Sequence, residues 1–281
     1  MRGEARVHGA GTVINAIATG KGAAFGLGLE TSAVVELNDS GKIEVRMEGL
    51  KGEDDMLAAL CARTIIDAYA EGEGSGARVT TTSNIPVSKG LKSSSAAANA
   101  VVLATLNALD AEIDRMEAVR IGVKCAIEAG VSVTGAFDDA CASMLGGLVI
   151  TDNKTNEIIK RQAMPEELVA LIHVPQRQIR KKGLPLDRMR GLAGVIDVAY
   201  QKVLVGKWQE AMLINSLAYS AALSLDPVMT VDAMLQGATA AGLSGTGPAT
   251  VILVKERRLK AVREALGGKD FIVADIYNGE D

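Results

Sequence analysis

Apolar residues recur at helical spacing along several stretches of the chain. In residues 53–71, Met56, Leu57, Leu60 and Ile65 fall on one helical face, which predicts a helix. Similar spacing, with many small residues, predicts further helices over 94–109, 114–130, 136–145, 187–205, 207–223, 226–240 and 257–266.

Short apolar or threonine-rich runs, bounded by turn residues, predict strands between these helices. Residues 6–20 are predicted to be an extended segment interrupted by glycines. The predicted strands that follow are 30–37, 42–47, 77–83, 148–151, 168–174, 249–254 and 271–276. The turn signal Asn38-Asp39-Ser40-Gly41 predicts a hairpin of the second and third runs.

The order of these elements predicts an α+β fold. In the C-terminal half, strand, helices, strand, helix and strand follow one another on short links, which is typical of a ferredoxin-like sandwich with helices on one face of an antiparallel sheet. Polar turns near 150–165, with Pro165, mark a junction. We therefore expect two domains, residues 1–155 and 156–281.

Composition narrows the class of protein. Of 281 residues, 48% are hydrophobic and 23% charged, as in globular proteins. The net charge of −4 and the lack of a basic stripe argue against nucleic-acid binding. No apolar run is long enough to cross a bilayer, and no apolar leader is visible. Three cysteines without C-x-x-C spacing suggest reduced thiols, hence a cytoplasmic protein. The oligomeric state stays open.

A glycine- and serine-rich segment, residues 86–97, separates a predicted strand from a long small-residue helix. Free N–H groups and the positive end of a helix favour phosphate at such a place. The alternative is a plain turn in which Ser93 or Ser94 caps the helix. The chain has no G-x-x-x-x-G-K-[ST] motif, which disfavours P-loop kinases. The residues expected at a nucleotide are Pro86, Lys89, Gly90, Leu91, Lys92, Ser93, Ser94, Ser95 and Ala96.

Three acidic residues are candidates for phosphoryl-transfer chemistry: Glu128, Asp138 and Asp139. Such chemistry needs magnesium, which prefers oxygen ligands, and a group that orients the attacking hydroxyl. Two adjacent acids in an apolar run are costly unless they are partnered. The alternative is that Asp138 caps the short helix and Asp139 is solvated.

Two further glycine-rich segments could approach a ligand. Residues 244–248 form a turn that could be the second wall of a phosphate cleft or a plain turn. Residues 9–22 end near Lys21, which could hold an anion or be solvated. The basic run 177–182 is typical of a solvated loop, although an acidic substrate would favour arginine nearby.

The pattern P-x-x-x-G-L-x-S-S in residues 86–94 resembles the phosphate-binding loop of the GHMP kinases (galactokinase, homoserine kinase, mevalonate kinase and phosphomevalonate kinase). The resemblance extends over essentially the whole chain in three ordered blocks, 11–24, 86–97 and 244–251. Within this superfamily the chain looks most like the archaeal shikimate kinases, through 15–24, 90–96 and 137–140 with the following Gly146-Gly147.

This resemblance implies a two-lobed GHMP kinase fold with a ferredoxin-like C-terminal lobe, and an enzyme that uses ATP and Mg²⁺. The implied reaction converts the small molecule shikimate to shikimate 3-phosphate, in aromatic amino-acid biosynthesis. The alternatives are another GHMP kinase, for homoserine or mevalonate, and a non-catalytic nucleotide-binding module.

The resemblance also implies roles for residues. Ser94 and Glu128 match the magnesium ligands. Asp139 matches the catalytic aspartate, because it stands eleven residues after Glu128 and seven before Gly146. The acceptor is expected at Asn15, Lys21, Asp138, Gly245 and Thr246.

Two positions depart from the family pattern. Lys92 stands where G-L-G-S-S has its second glycine, so it needs acceptable backbone angles and is expected at the phosphate or the rim. Thr12 stands where mevalonate kinases have lysine, which leaves Lys21 as a substitute cation.

Overall fold

The computed structural model describes residues 1–49, 55–70, 75–132, 134–176, 183–268 and 270–279. The basic run at 177–182 lies outside them. The strands are β1 (Arg2–Ile14), β2 (Lys21–Asn38), β3 (Ile43–Met47), β4 (Gly76–Ser83), β5 (Leu148–Asp152), β6 (Glu157–Gln162), β7 (Leu168–His173), β8 (Ala240–Leu243), β9 (Thr250–Lys255) and β10 (Phe271–Tyr277). The helices are α1 (Met56–Tyr69), α2 (Ser93–Leu109), α3 (Arg115–Glu128), α4 (Phe137–Leu145), α5 (Leu186–Arg190), α6 (Ala193–Leu204), α7 (Trp208–Leu223), α8 (Val228–Leu235) and α9 (Leu259–Ala265).

The N-terminal half is built on a long antiparallel pair, β1 and β2, which supports α2. Small buried residues, Ala98, Ala100, Ala104 and Ala108, run along α2, so its backbone approaches the sheet closely. A Cβ placed on Gly3 of β1 would lie 2.2 Å from the backbone nitrogen of Ala108. At the other end, just before the helix, the N–H of Ala10 of β1 donates to the carbonyl of Leu91 at 3.4 Å.

The predicted hairpin of residues 30–37 and 42–47 is wrong. β4 pairs with β2 in antiparallel register, and β3 pairs with the far side of β4 in parallel register. The reason is the connection: α1 lies between β3 and β4, and a helical crossover is what joins parallel neighbours. The short, half-buried β3 is left at the edge of the sheet.

The C-terminal half confirms the α+β, ferredoxin-like prediction. Its strands are ordered β10-β7-β9-β8, every neighbouring pair is antiparallel, and the helices follow β7 and β9 in the chain. Two short strands, β6 and β8, are missing from the prediction. The helix predicted over 187–205 is two helices, α5 and α6, separated at Gly191 and Leu192.

The cores and sheet link the two halves. One hydrophobic cluster joins Phe25 and Leu148 of the N-terminal half to Ile172 and Tyr219 of the C-terminal half. Residue 155 lies in the turn between the paired strands β5 and β6. The boundary between residues 1–155 and 156–281 stays a prediction. Within the described ranges, the helices are all too short or too polar to traverse a lipid bilayer.

Candidate active site

The N-terminus of α2 presents unpaired backbone donors. Lys92 precedes the helix in the left-handed region, with φ 68° and ψ 29°, and no side chain caps the helix. In the described part of the chain, the N–H groups of Ser93, Ser94 and Ser95 have no backbone or side-chain acceptor. The alternative in which Ser93 or Ser94 caps the helix is therefore wrong, and the three donors point to an anion site.

Gly90 brings the two glycine-rich loops together. Its φ is 85°, and a Cβ there would lie 2.0 Å from the carbonyl oxygen of Ser244. The Ser244 hydroxyl donates to the carbonyl of Gly90 at 2.7 Å, and the Ala249 N–H donates to that of Lys89 at 3.1 Å. The side chains of Leu91 and Ala96 are in the core. At these two positions, only backbone atoms of the loop can contact a ligand.

Thr12 of β1 and Asn15, the residue directly after β1, hold the second glycine-rich loop in place. The N–H of Gly245 donates to the Thr12 hydroxyl at 2.8 Å, and the N–H of Thr12 donates to the Ser244 hydroxyl at 3.3 Å. The side-chain amide of Asn15 donates to the carbonyl of Gly245 at 3.0 Å. Thr12 and Asn15 thereby hold the turn that carries Thr246.

Two residues of α7 that were not predicted to belong to the site, Asn215 and Tyr219, support Asn15. The Asn215 side chain accepts from the N–H of Asn15 at 2.9 Å, and the Tyr219 hydroxyl donates to its carbonyl at 3.0 Å. Both side chains are fully buried. The sequence holds no clear signal for them, because α7 also contains Gln209, Glu210, Ser216 and Ser220, and only the fold shows which of its polar residues are buried.

The two acids open α4, which is fixed by its neighbours. Phe137 is fully buried, and the Asn99 amide of α2 donates to the carbonyl of Ala140 at 2.9 Å. The Asp139 carboxylate lies 2.8 Å from the Lys92 ammonium, and these side chains are only 14% and 7% exposed. Asp139 is therefore not solvated, contrary to the simpler alternative.

Asp138 occupies a separate buried pocket. Its carboxylate accepts a hydrogen bond from the Asn153 amide at 2.7 Å and does not cap α4, so the capping alternative is also wrong. A Cβ on Gly22 would lie 2.5 Å from this carboxylate, so glycine there makes room for it. Burial, and secondarily the charge of Asp139, raise the pKa of Asp138 to about 7, against the opposing effects of Lys92 and Asn153.

This raised pKa predicts a pH-dependent effect of Asp138→Asn. The native state holds a proton that the unfolded state releases above pH ~4, so wild-type stability falls as pH rises toward 7. The variant lacks this loss and can keep the hydrogen bond with Asn153. We expect its stability relative to wild type to rise by roughly 2 kcal/mol between pH 5 and pH 8 in urea unfolding. A difference that does not change with pH would contradict this assignment.

The other two lysines of the predicted site are engaged elsewhere. Lys21 opens β2 and does not lie in a loop; its ammonium pairs with Asp197 at 3.1 Å and lies 5.6 Å from the Tyr200 ring centre. Lys89 is buried and donates to the backbone carbonyls of Pro175 and Gln176. Of these three lysines, Lys92 is the one whose ammonium lies at the start of α2 beside Asp139.

Glu128 lies at the same end of the helical layer as the α2 N-terminus. The short link between α2 and α3 reverses the chain, and Gly122 faces Ala98 and Asn99. The last turn of α3, with Glu128, is therefore level with the first turn of α2. Glu128 is exposed, and the Ser94 hydroxyl is half-buried without a protein partner in the described ranges.

These groups fit a magnesium ion that is held largely by phosphate and water. The described residues contain no cluster of three or more His, Cys, Asp or Glu side chains that would form a cage. Magnesium needs only one or two carboxylates beside substrate phosphates, and the exposed Glu128 and the half-buried Ser94 carry oxygen atoms of the kind that it prefers.

The arrangement combines the parts that phosphoryl transfer requires. Acceptor-free amides at a helix N-terminus bind phosphate, a lysine supplies positive charge, and a nearly buried carboxylate can orient a hydroxyl. Lys92 connects the amides with the carboxylate, because it directly precedes the amides in the chain and its ammonium contacts Asp139. Pro86 is half-buried at the start of the same loop.

Comparison with known proteins gives a consistent result. A family model described as the GHMP kinases N terminal domain matches residues 56–147. A shikimate kinase of Methanothrix thermoacetophila is 47% identical over 272 residues, which are 96% of this chain and 92% of that protein. A shikimate kinase of Methanothermobacter thermautotrophicus is 45% identical over 256 residues, 89% of this chain and 86% of that protein.

Solved structures share the fold at low sequence identity. A homoserine kinase from Cytophaga hutchinsonii superposes with a TM-score of 0.75 at 15% identity, over 99% of this chain and 96% of that one. The mevalonate kinase of Methanococcus jannaschii superposes with a TM-score of 0.77 at 14% identity, over 99% of both chains.

Proposed function

Because the chain belongs to the shikimate kinase family of the GHMP kinases, we propose that it transfers the γ-phosphoryl group of ATP to a hydroxyl of shikimate, giving ADP and shikimate 3-phosphate. The observation that carries the proposal is the pairing of two features at one place. The acceptor-free N–H groups of Ser93–Ser95 begin directly after Lys92, whose ammonium is 2.8 Å from the Asp139 carboxylate.

In this proposal the loop binds the nucleotide and Asp139 acts on the acceptor. The amides of residues 93–95 receive the phosphates, where the helix dipole favours negative charge. The bond from the γ-phosphorus to the β–γ bridging oxygen breaks, and a bond to the acceptor oxygen forms. ADP leaves with the bridging electron pair. Asp139 orients the hydroxyl and takes its proton, which requires little basicity if the transition state is dissociative.

Magnesium would be held by Ser94 and Glu128 together with the phosphates. When bound, it supplies charge neutralisation of the phosphate oxygens. The protein contributes a free hydroxyl and an exposed carboxylate at one end of the helical layer, as described above.

The acceptor is proposed to lie beside Asp139, among Asn15, Lys21, Asp138, Gly245 and Thr246. The Asn15 side chain holds the backbone of the turn at Gly245. Gly22, the residue after Lys21, has no side chain, so its backbone lies against the Asp138 carboxylate. Lys21 is the half-exposed cation of this set, and an acceptor carboxylate could replace Asp197 as its partner.

The chain is proposed to act in the cytoplasm, in aromatic amino-acid biosynthesis. Supporting the compartment, Cys61, Cys125 and Cys141 are free thiols. A two-domain organisation, with residues 1–155 binding nucleotide phosphate, belongs to the same proposal.

The test is an ADP-release assay with purified protein, ATP and magnesium over four acceptors: shikimate, homoserine, mevalonate and galactose. We expect turnover with shikimate at a kcat/KM at least about a hundredfold above the others, because buried polar groups made for one acceptor reject those that leave them unpaired. Mass spectrometry of the product identifies shikimate 3-phosphate.

Two results would contradict the proposal. Turnover with homoserine or mevalonate but not shikimate would assign another GHMP activity. Nucleotide binding without ADP release for any acceptor would favour a non-catalytic module.

A further inference from the structure

Lys92 occupies a backbone conformation that disfavours its own side chain. Its φ of 68° and ψ of 29° lie in the left-handed region, where the Cβ of an L-residue is close to the backbone and glycine is free of this strain. Among the described non-glycine residues with positive φ, it is the one that directly precedes the amides of Ser93–Ser95. A strained residue at such a place suggests that the side chain is kept for its function.

The Lys92 side chain extends from the start of α2 to α4 and lies close to two other parts of the site. Its ammonium is 2.8 Å from the Asp139 carboxylate and would be 3.0 Å from a Cβ built on Gly245 of the second loop. The side chain is only 7% exposed. An ammonium has three N–H donors, and in the described part of the chain Asp139 is the only ion-pair or side-chain hydrogen-bond partner found for them.

The neighbouring lysines are not placed to substitute for it. The ammonium of Lys21 pairs with Asp197 on α6, and that of Lys89 is bound by backbone carbonyls at 175 and 176. The positive charge between the amides of α2 and the carboxylate of Asp139 is thus supplied by Lys92.

We propose that Lys92 is a catalytic residue that bridges Asp139 and the transferred phosphoryl group. This inference rests on the proposed kinase function. One N–H group stays on Asp139, and the remaining ones bind oxygens of the γ-phosphate. The ammonium keeps its proton throughout: the γ-phosphorus exchanges the bridging oxygen of ADP for the acceptor oxygen, and the hydroxyl proton goes to Asp139.

The bridge has two consequences for the reaction. It places the γ-phosphate and the carboxylate on one cation, so that the attacking hydroxyl is aligned with the phosphorus. It also neutralises charge on the phosphoryl oxygens in a nearly water-free place, where a fixed cation is most effective. A glycine at position 92 would relieve the backbone strain and remove both effects.

Lys92→Gly is therefore the sharpest test, because glycine adopts the left-handed backbone without strain. It also leaves the nearly buried Asp139 carboxylate without its partner, so urea unfolding is measured beside activity. We expect kcat for shikimate phosphorylation to fall at least about thirtyfold. The affinity for the ATP analogue AMPPNP with magnesium should fall about tenfold, while ADP affinity changes less than about twofold, because only the analogue has a γ-phosphate. Lys92→Arg keeps the charge and should recover part of the AMPPNP affinity.

Asp110→Gly is the matched control for the backbone. Asp110 also has positive φ, 54°, at the other end of α2, and its exposed side chain lies outside the site. We expect this variant to keep wild-type kcat and nucleotide affinity. If circular dichroism shows that Lys92→Gly is unfolded, Lys92→Met is measured in its place, with the same expected losses.

Two outcomes would overturn the inference. One is wild-type kcat in a folded Lys92→Gly, and the other is an equal loss of AMPPNP and ADP affinity, which would mean a purely structural role in the loop. The binding measurements need no acceptor. If the wild-type protein fails to phosphorylate shikimate, the difference between AMPPNP and ADP still decides whether Lys92 contacts the γ-phosphate.

Discussion

Replacing Asp139 by Asn is expected to lower kcat for shikimate at least about a hundredfold, which is the effect typical of a positioned acid–base group. Asn keeps the shape of the side chain but can neither take the hydroxyl proton nor balance the charge of Lys92. Among the described residues, the Asp139 carboxylate accepts no hydrogen bond from the N–H groups of Ser93–Ser95, which are proposed to bind the nucleotide. KM for ATP should therefore change much less than kcat. Steady-state ADP release measures both.

The control for this substitution is Asp114→Asn. Asp114 caps α3 by accepting from the N–H groups of Met116 and Glu117, and Asn is an equally good capping residue. Its kcat should equal that of the wild type. Urea unfolding of both variants separates lost chemistry from lost stability, because Asp139→Asn leaves the Lys92 charge nearly buried without its partner. A folded Asp139→Asn that retains wild-type kcat would remove Asp139 from the mechanism.

Gly90→Ala should have the second large effect, on folding and on nucleotide binding together. The new Cβ would lie 2.0 Å from the carbonyl oxygen of Ser244, and φ is 85°. Neither backbone can yield without breaking the hydrogen bond from Ser244 to Gly90. Overpacking and left-handed strain together should cost roughly 3 kcal/mol or more of unfolding free energy. AMPPNP affinity should fall at least about tenfold because the two loops must separate.

Gly206→Ala distinguishes the clash from the backbone conformation. Gly206 has nearly the same φ, 84°, but an added Cβ there meets no atom within 4 Å. It should lose only about 1 kcal/mol of stability and retain its nucleotide affinity. Equal effects of the two substitutions would show that the loops are not locked together through Gly90.

Most helices were predictable from the sequence because their spacing is a local property, whereas the predicted helix 226–240 ends at Leu235 and residue 240 begins β8. The predicted helix 53–71 is α1, and the prediction for 94–109 differs from α2 by one residue. The predicted hairpin is wrong because strand pairing is not a local property. The chain does turn at 38–41, but β2 pairs with β4, which is distant in sequence, and not with β3. The four-residue β8, Ala-Ala-Gly-Leu, has no pattern of its own and is a strand only because β9 pairs with it.

The candidate site was predictable in its chemistry and less so in its contacts. The glycine- and serine-rich loop and the two acids can be recognised by residue type and spacing. The partner of Asp139 could not, because Lys92 reaches it through a left-handed backbone conformation and a fold that brings residues 92 and 139 together. The same holds for Asn153, which contacts Asp138 from the turn after β5. Asn215 and Tyr219 lie two hundred residues from Asn15 in the sequence.

A crystal structure with magnesium and a nonhydrolysable ATP analogue would show where the phosphates bind. We expect the triphosphate to accept hydrogen bonds from the amides of residues 93–95, with the γ-phosphate between the Lys92 ammonium and the Asp139 carboxylate. A well-ordered analogue whose phosphates bind elsewhere on the protein, or whose γ-phosphate points away from Asp139, would contradict it.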